Sequence, residues 1–127
     1  MELNYDFVRE ILIEIAKSNH AGGPTAKELI DFAETKGFTY DELAYTLARL
    51  FEGSLVTKLP TPVGDSYKIA PSVGNLTWQG NEYLNSIRNQ DIWTKTKDKL
   101  KQDGIKVAFD TVVSVASAIA NHQLGLS

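Results

Sequence analysis

Apolar side chains near the N-terminus recur at the three- and four-residue spacing of an amphipathic helix. The members of this set are Phe7, Val8, Ile11, Leu12 and Ile15. Their spacing predicts a first helix from about Asn4 to Ser18. Two glycines and a proline at residues 22–24 then end the helical pattern.

Two capping-box sequences introduce the next two helices. Thr25 precedes Glu28 by three residues, and Thr39 precedes Glu42 by the same spacing. We therefore expect a second helix after Thr25, closed by Gly37, and a third from about Tyr40 to Glu52. The apolar set of the second helix is Leu29, Ile30, Phe32 and Ala33. The third helix is expected to bury Leu43, Leu47, Leu50 and Phe51.

After Gly53 the pattern changes from helical to alternating, which is typical of a strand. Leu55, Thr57 and Leu59 share one face, and residues 60–65 supply a turn. Residues 66–70 then read as the returning strand of a hairpin. Three helices followed by a two-stranded hairpin are the element order of a winged helix-turn-helix. The order predicts a mainly α fold of the α+β type, with a winged helix-turn-helix core, a two-stranded wing hairpin and a C-terminal helical extension.

The run from Leu76 to Arg88 reads L-T-W-x-G-x-E-Y-L-x-x-I-R, and a second tryptophan, Trp93, begins a Lys-rich helix. This run resembles a family of small bacterial and prophage proteins classified as domain of unknown function 2513, which looks related to the YjcQ-like winged-helix proteins. The resemblance implies a winged-helix core, a C-terminal helical extension and no known activity. The family often has histidine after the position of Gly80, where this chain has Asn81.

The motif itself favours a structural role over a ligand platform, because aromatic side chains at helical spacing are usually buried. Thr77 can cap a helix that starts at Trp78. We expect an apolar set of this helix to pack on the three-helix core: Trp78, Tyr83, Leu84 and Ile87. Asp91 is the predicted cap of the following helix, which places another set along one side: Ile92, Trp93, Thr96 and Leu100. Its lysines at 95, 97, 99 and 101 spread around the helix, which favours a solvated surface over a phosphate-binding patch.

The segment from Ile105 to Leu124 combines a narrow polar stripe with a wide apolar face. The stripe consists of Asp110, Ser114, Ser117 and Asn121. The apolar face consists of Phe109, Val112, Val113, Ala116, Ile119 and Ala120, which are our candidates for self-association. Packing within the chain and packing against a second copy both remain open. The polar interruptions argue against a membrane span.

Composition places the chain among ordinary globular domains. It has 127 residues, of which 43% are hydrophobic, a formal net charge of -3 and no cysteine. One globular unit is expected, with a winged-helix core over residues 1–73 and a helical extension over residues 74–127. The absence of cysteine excludes disulfides and thiolate metal sites. The acidic N-terminus lacks the pattern of a secretory signal, so we expect a soluble cytoplasmic protein.

No arrangement of residues indicates catalysis. The two histidines, His20 and His122, lie far apart in sequence and outside any metal-ligand spacing. The glycines at 22 and 23 lack the spacing of a phosphate-binding loop and precede a proline. We therefore expect no enzymatic activity, cofactor, metal or small-molecule substrate.

Two binding functions remain. In the first, a DNA-binding regulator reads bases with Tyr45, Thr46 and Arg49 of the third helix, while Lys58 and Lys68 of the wing contact phosphate. In the second, a non-enzymatic interaction module acts through protein contacts and self-association of its C-terminal helix. Residues 25–70 carry five basic and seven acidic side chains. This charge disfavours nucleic acid, so the second hypothesis is preferred.

Overall fold

The computed structural model describes residues 1–103 and 108–125, with the side chains of 102 and 103 excepted. Within these residues the fold is mainly helical, with one small antiparallel hairpin. The elements are α1 (Tyr5–Lys17), α2 (Ala26–Thr35), α3 (Tyr40–Glu52), β1 (Thr61–Val63), β2 (Ser66–Lys68), α4 (Trp78–Ile87), α5 (Gln90–Asp103) and α6 (Phe109–Gln123). The chain forms two compact units, Met1–Gly80 and Asn81–Ser127. A division after residue 73, with both parts in one globular unit, stays a prediction.

Helices α1 to α3 form where the apolar periods predict them, and their ends are fixed by side chains. Asn4 caps α1 by accepting from the amide of Phe7 at 3.1 Å. Both capping boxes are present: Thr25 and Glu28 exchange hydrogen bonds at the start of α2, as do Thr39 and Glu42 at the start of α3. The buried core of these helices includes the predicted residues Phe7, Val8, Ile11, Leu12, Ile15, Leu29, Ala33, Leu43, Leu47 and Leu50.

Phe51 is a correction to the predicted core, because 39% of its surface is exposed. On a helical wheel it lies about 80° from Leu43, at the edge of the apolar face, and one residue before the end of α3. The side chain therefore covers the margin of the core instead of filling it.

The hairpin is also displaced from its predicted position. Thr61 pairs with Lys68 and Val63 with Ser66, around a turn at Gly64 and Asp65. Gly64 has φ +57°, the conformation that the first residue of a two-residue II′ turn requires. The strand predicted over residues 55–59 is therefore wrong. The returning strand is found where it was expected, over residues 66–68 of the predicted 66–70.

Residues 55–57 instead pair with the segment that precedes α4. Val56 forms an isolated bridge with Leu76, the amide of Thr57 donates to the carbonyl of Asn75 at 2.9 Å, and that of Thr77 donates to Leu55 at 3.0 Å. Leu55 and Val56 are both buried, so the residues do not alternate between two faces. The start of α4 is thus fastened to the chain that leaves α3.

Thr77 caps α4 as predicted, accepting from the amide of Gly80 at 2.9 Å. Trp78, in contrast, is not a core residue, since it is 78% exposed, whereas Tyr83, Leu84 and Ile87 are buried. With Trp78 at 0° on a helical wheel, these three residues lie at about 140°, 240° and 180°. Trp78 therefore points away from the buried face of its own helix.

Helices α5 and α6 pack against each other within the second unit. Trp93, Thr96 and Leu100 of α5 are buried, as predicted, and the hydroxyl of Thr96 donates to the carbonyl of Ile92 at 2.7 Å. The cap of α5 is Asn89, which accepts from the amide of Ile92 at 3.0 Å. The prediction of Asp91 as the cap is wrong because α5 begins at Gln90, which places Asp91 inside the first turn.

Candidate functional site

The clearest concave surface in the described part of the second unit is a groove between α5 and α6, with a volume of about 600 Å³. Its lining residues are Lys95, Asp98 and Lys99 from α5 and Val115, Ala118, Ile119, His122 and Gln123 from α6. Val115, Ala118 and Ile119 make one wall apolar, while the charged ends of the α5 side chains stand on the other. A volume of this size is in the range that takes a large side chain or a small ligand.

The two helices are tied together at one end of this groove by Asp91. Its carboxylate accepts from the side-chain amide of Gln123 at 3.1 Å and pairs with the ammonium of Lys95 at 3.2 Å. The hydrogen bond from Gln123, followed by that from Lys95, holds the pKa of Asp91 below its usual value. The hydrogen bond from Gln123 to Asp91 therefore links α5 to α6 at one end of the groove.

The structure separates the self-association candidates of α6 into two groups. Val112 and Ala116 are fully buried, so they belong to the core of this unit. The others are half-buried: Phe109, Val113, Ile119 and Ala120. Phe109 stacks edge-on against Tyr83, with ring centroids 5.1 Å apart. The predicted residues 105–107 lie outside the described residues.

Ile119 is thus the one self-association candidate that lines the groove, and sequence reasoning missed Val115 and Ala118. Both belong to the flank between the apolar face and the polar stripe, whose residues Asp110, Ser114, Ser117 and Asn121 are exposed as predicted. The sequence feature that could have indicated these two residues is the width of the apolar arc of α6. An arc wider than one partner helix can cover leaves its margin at the surface.

The exposed side of α3 differs from the predicted base-reading surface. Thr46 is 3% exposed, and its hydroxyl donates to the carbonyl of Glu42 at 2.7 Å, so its assignment as a base-reading residue is wrong. It lies about 60° from Leu43 on a helical wheel, inside the buried arc. Tyr45 and Arg49 do share the outer face. The guanidinium of Arg49 lies 5.2 Å from the ring centroid of Tyr45 and pairs with Glu52.

The hairpin packs beside the start of α3. The hydroxyl of Ser66 donates to Asp41 at 3.0 Å, and the hydroxyl of Tyr40 accepts from the amide of Ile69 at 2.8 Å. Lys58 and Lys68 are exposed, as the DNA-binding hypothesis requires. Their two positive charges do not offset the three negative charges of Asp41, Glu42 and Glu52 along α3.

Neither histidine lies in a metal-binding group within the part of the chain that the structure describes. His20 is exposed in the loop after α1, with Nε2 3.7 Å from the carboxylate of Glu28. His122 is exposed on α6 at the groove. Across the described residues, no cluster of three or more potential metal ligands is present. Among the helices of those residues, none has both the length and the apolar character to cross a membrane.

The model of the family described as "Hypothetical protein (DUF2513)" matches residues 2–106. The chain belongs to this family. A relative from Haemophilus influenzae (strain ATCC 51907 / DSM 11121 / KW20 / Rd), described as "Uncharacterized protein", is 27% identical over 124 residues, which cover 98% of this chain and 99% of the relative. No solved structure matches the chain significantly. The DUF2513 match begins three residues before α1 and extends past α5, so it includes the L-T-W-x-G motif but stops before α6.

Proposed function

We propose that this DUF2513 protein is a non-enzymatic interaction module, in which a winged-helix scaffold carries a helical extension that binds protein and self-associates. The observation that carries the proposal is the groove between α5 and α6, whose α6 wall is apolar and open at the surface. An apolar wall beside charged side chains is the usual anatomy of a protein-binding surface.

The winged-helix part of the proposal is supported by element order and packing. Helices α2 and α3 are joined by a turn of four residues, 36–39, and the hairpin that follows α3 packs beside its start. The segment 55–57, bridged to residues 75–77, supplies further extended chain between α3 and α4. The relation to YjcQ-like proteins would follow from the same architecture and stays a prediction.

DNA binding is the second candidate, and the exposed Lys58 and Lys68 near the hairpin favour it. Against it, the outer face of α3 offers one cation, Arg49, which already pairs with Glu52. Asp41 and Glu52 would face phosphates if α3 entered a major groove, and uncompensated like charges there are costly when water is removed. The charge of α3 therefore supports protein over DNA as the partner.

One pair of α6 variants tests the groove. Ala118→Arg places a long charged side chain on the apolar wall, whereas Ser117→Arg makes the same charge change on the polar stripe, and both positions are exposed. We expect the mass of the wild-type protein in sedimentation velocity to rise with concentration between about 1 µM and 1 mM, a range that covers weak association. Ala118→Arg should remain monomeric, while Ser117→Arg should behave like the wild type. Equal association of the two variants would show that the groove is not the binding surface.

Fluorescence anisotropy with a labelled DNA duplex separates the two candidate functions. We expect no more than non-specific affinity, with a Kd on the order of 10⁻⁴ to 10⁻⁶ M at physiological salt. An Asp41→Lys, Glu52→Lys double variant should gain salt-sensitive affinity, and it leaves the capping box of Glu42 intact. Nanomolar binding of a defined duplex by the wild type would favour the DNA-binding candidate, with Tyr45 and Arg49 as the base-reading residues.

A further inference from the structure

We draw no further inference here: the strongest candidate, the cleft between the hairpin and the start of α3, rests on two carboxylates, those of Asp41 and Asp65, and no second feature of the described residues points to a ligand there.

Discussion

Gly80 is where the family motif makes its closest backbone approach. A Cβ atom placed on Gly80 would lie 2.0 Å from the carbonyl oxygen and 3.0 Å from the carbonyl carbon of Leu55. Both are main-chain atoms that cannot rotate away. The φ of Gly80 lies outside the left-handed region, so the objection to alanine is purely steric. Gly80→Ala therefore tests whether α4 is held against the chain that leaves α3.

The expected loss of stability combines three effects. Alanine is favoured over glycine inside a helix by about 0.8–1.0 kcal/mol, which works in favour of the variant. Against this, added volume in a close-packed site costs about 1–3 kcal/mol. The shift that relieves the overlap also strains two hydrogen bonds of Thr77, to the carbonyls of Leu55 and Ser54, worth about 0.5–1.5 kcal/mol each. We expect a net loss of about 3 kcal/mol.

Urea unfolding followed by circular dichroism measures this loss, with Gly22→Ala as the matched control. A Cβ on Gly22 meets nothing within 4 Å, and its φ is also outside the left-handed region. The control should change the free energy of unfolding by less than about 1 kcal/mol and can raise it. In thermal unfolding, Gly80→Ala should lower the Tm by about 10 °C. A Gly80→Ala protein as stable as the wild type would refute the close contact between α4 and Leu55.

Three further predictions follow from burial, capping and charge. Trp93→Ala should lose about 3–5 kcal/mol in urea unfolding, whereas the exposed Trp78 should tolerate alanine within about 0.5 kcal/mol; equal losses would contradict their burial. Thr25→Ala should cost about 1 kcal/mol by the same assay, and no loss would contradict the capping box of α2. The pKa of Asp91 lies below its ordinary value of 3.8, so its link to Gln123 should persist above that pH and weaken as the pH falls through the lowered pKa. NMR titration of Asp91 checks this, and an unshifted midpoint would contradict it.

The first half of the fold could be predicted from sequence because its signals are local. Thr25 with Glu28, and Thr39 with Glu42, mark the first turns of α2 and α3 wherever the helices later pack. The 3.6-residue period then fixes which side chains face inward. Such predictions need only the chain itself, since a capping box forms within four residues.

The hairpin and the groove depend on contacts that sequence reasoning did not supply. Residues 55–59 satisfy a strand pattern, yet their partner is the segment 75–77, some 20 residues away. That choice depends on the route of the chain between them. The groove in turn requires the packing of α5 against α6, two helices that Asp91 and Gln123 link across 32 residues. The apolar period of α6 alone could not tell Val115 and Ala118 from core residues.

Trp78 shows that a stricter use of the helical period would have placed this residue outside the core. The prediction grouped Trp78 with three residues that are buried: Tyr83, Leu84 and Ile87. The helical angles place Trp78 opposite the face that these three residues share. The same angles place Gly80 on the buried face and Glu82 beside Trp78. The residues of the motif therefore form two sets. Thr77 and Gly80 hold α4 in place, and Trp78 and Glu82 lie on its outward side. Substitutions on the two sides should consequently separate: Gly80→Ala should lower the Tm, whereas Glu82→Lys should leave it unchanged. If Glu82→Lys lowered the Tm as much as Gly80→Ala, the outward side would also hold α4 in place, and this division of the motif would be wrong.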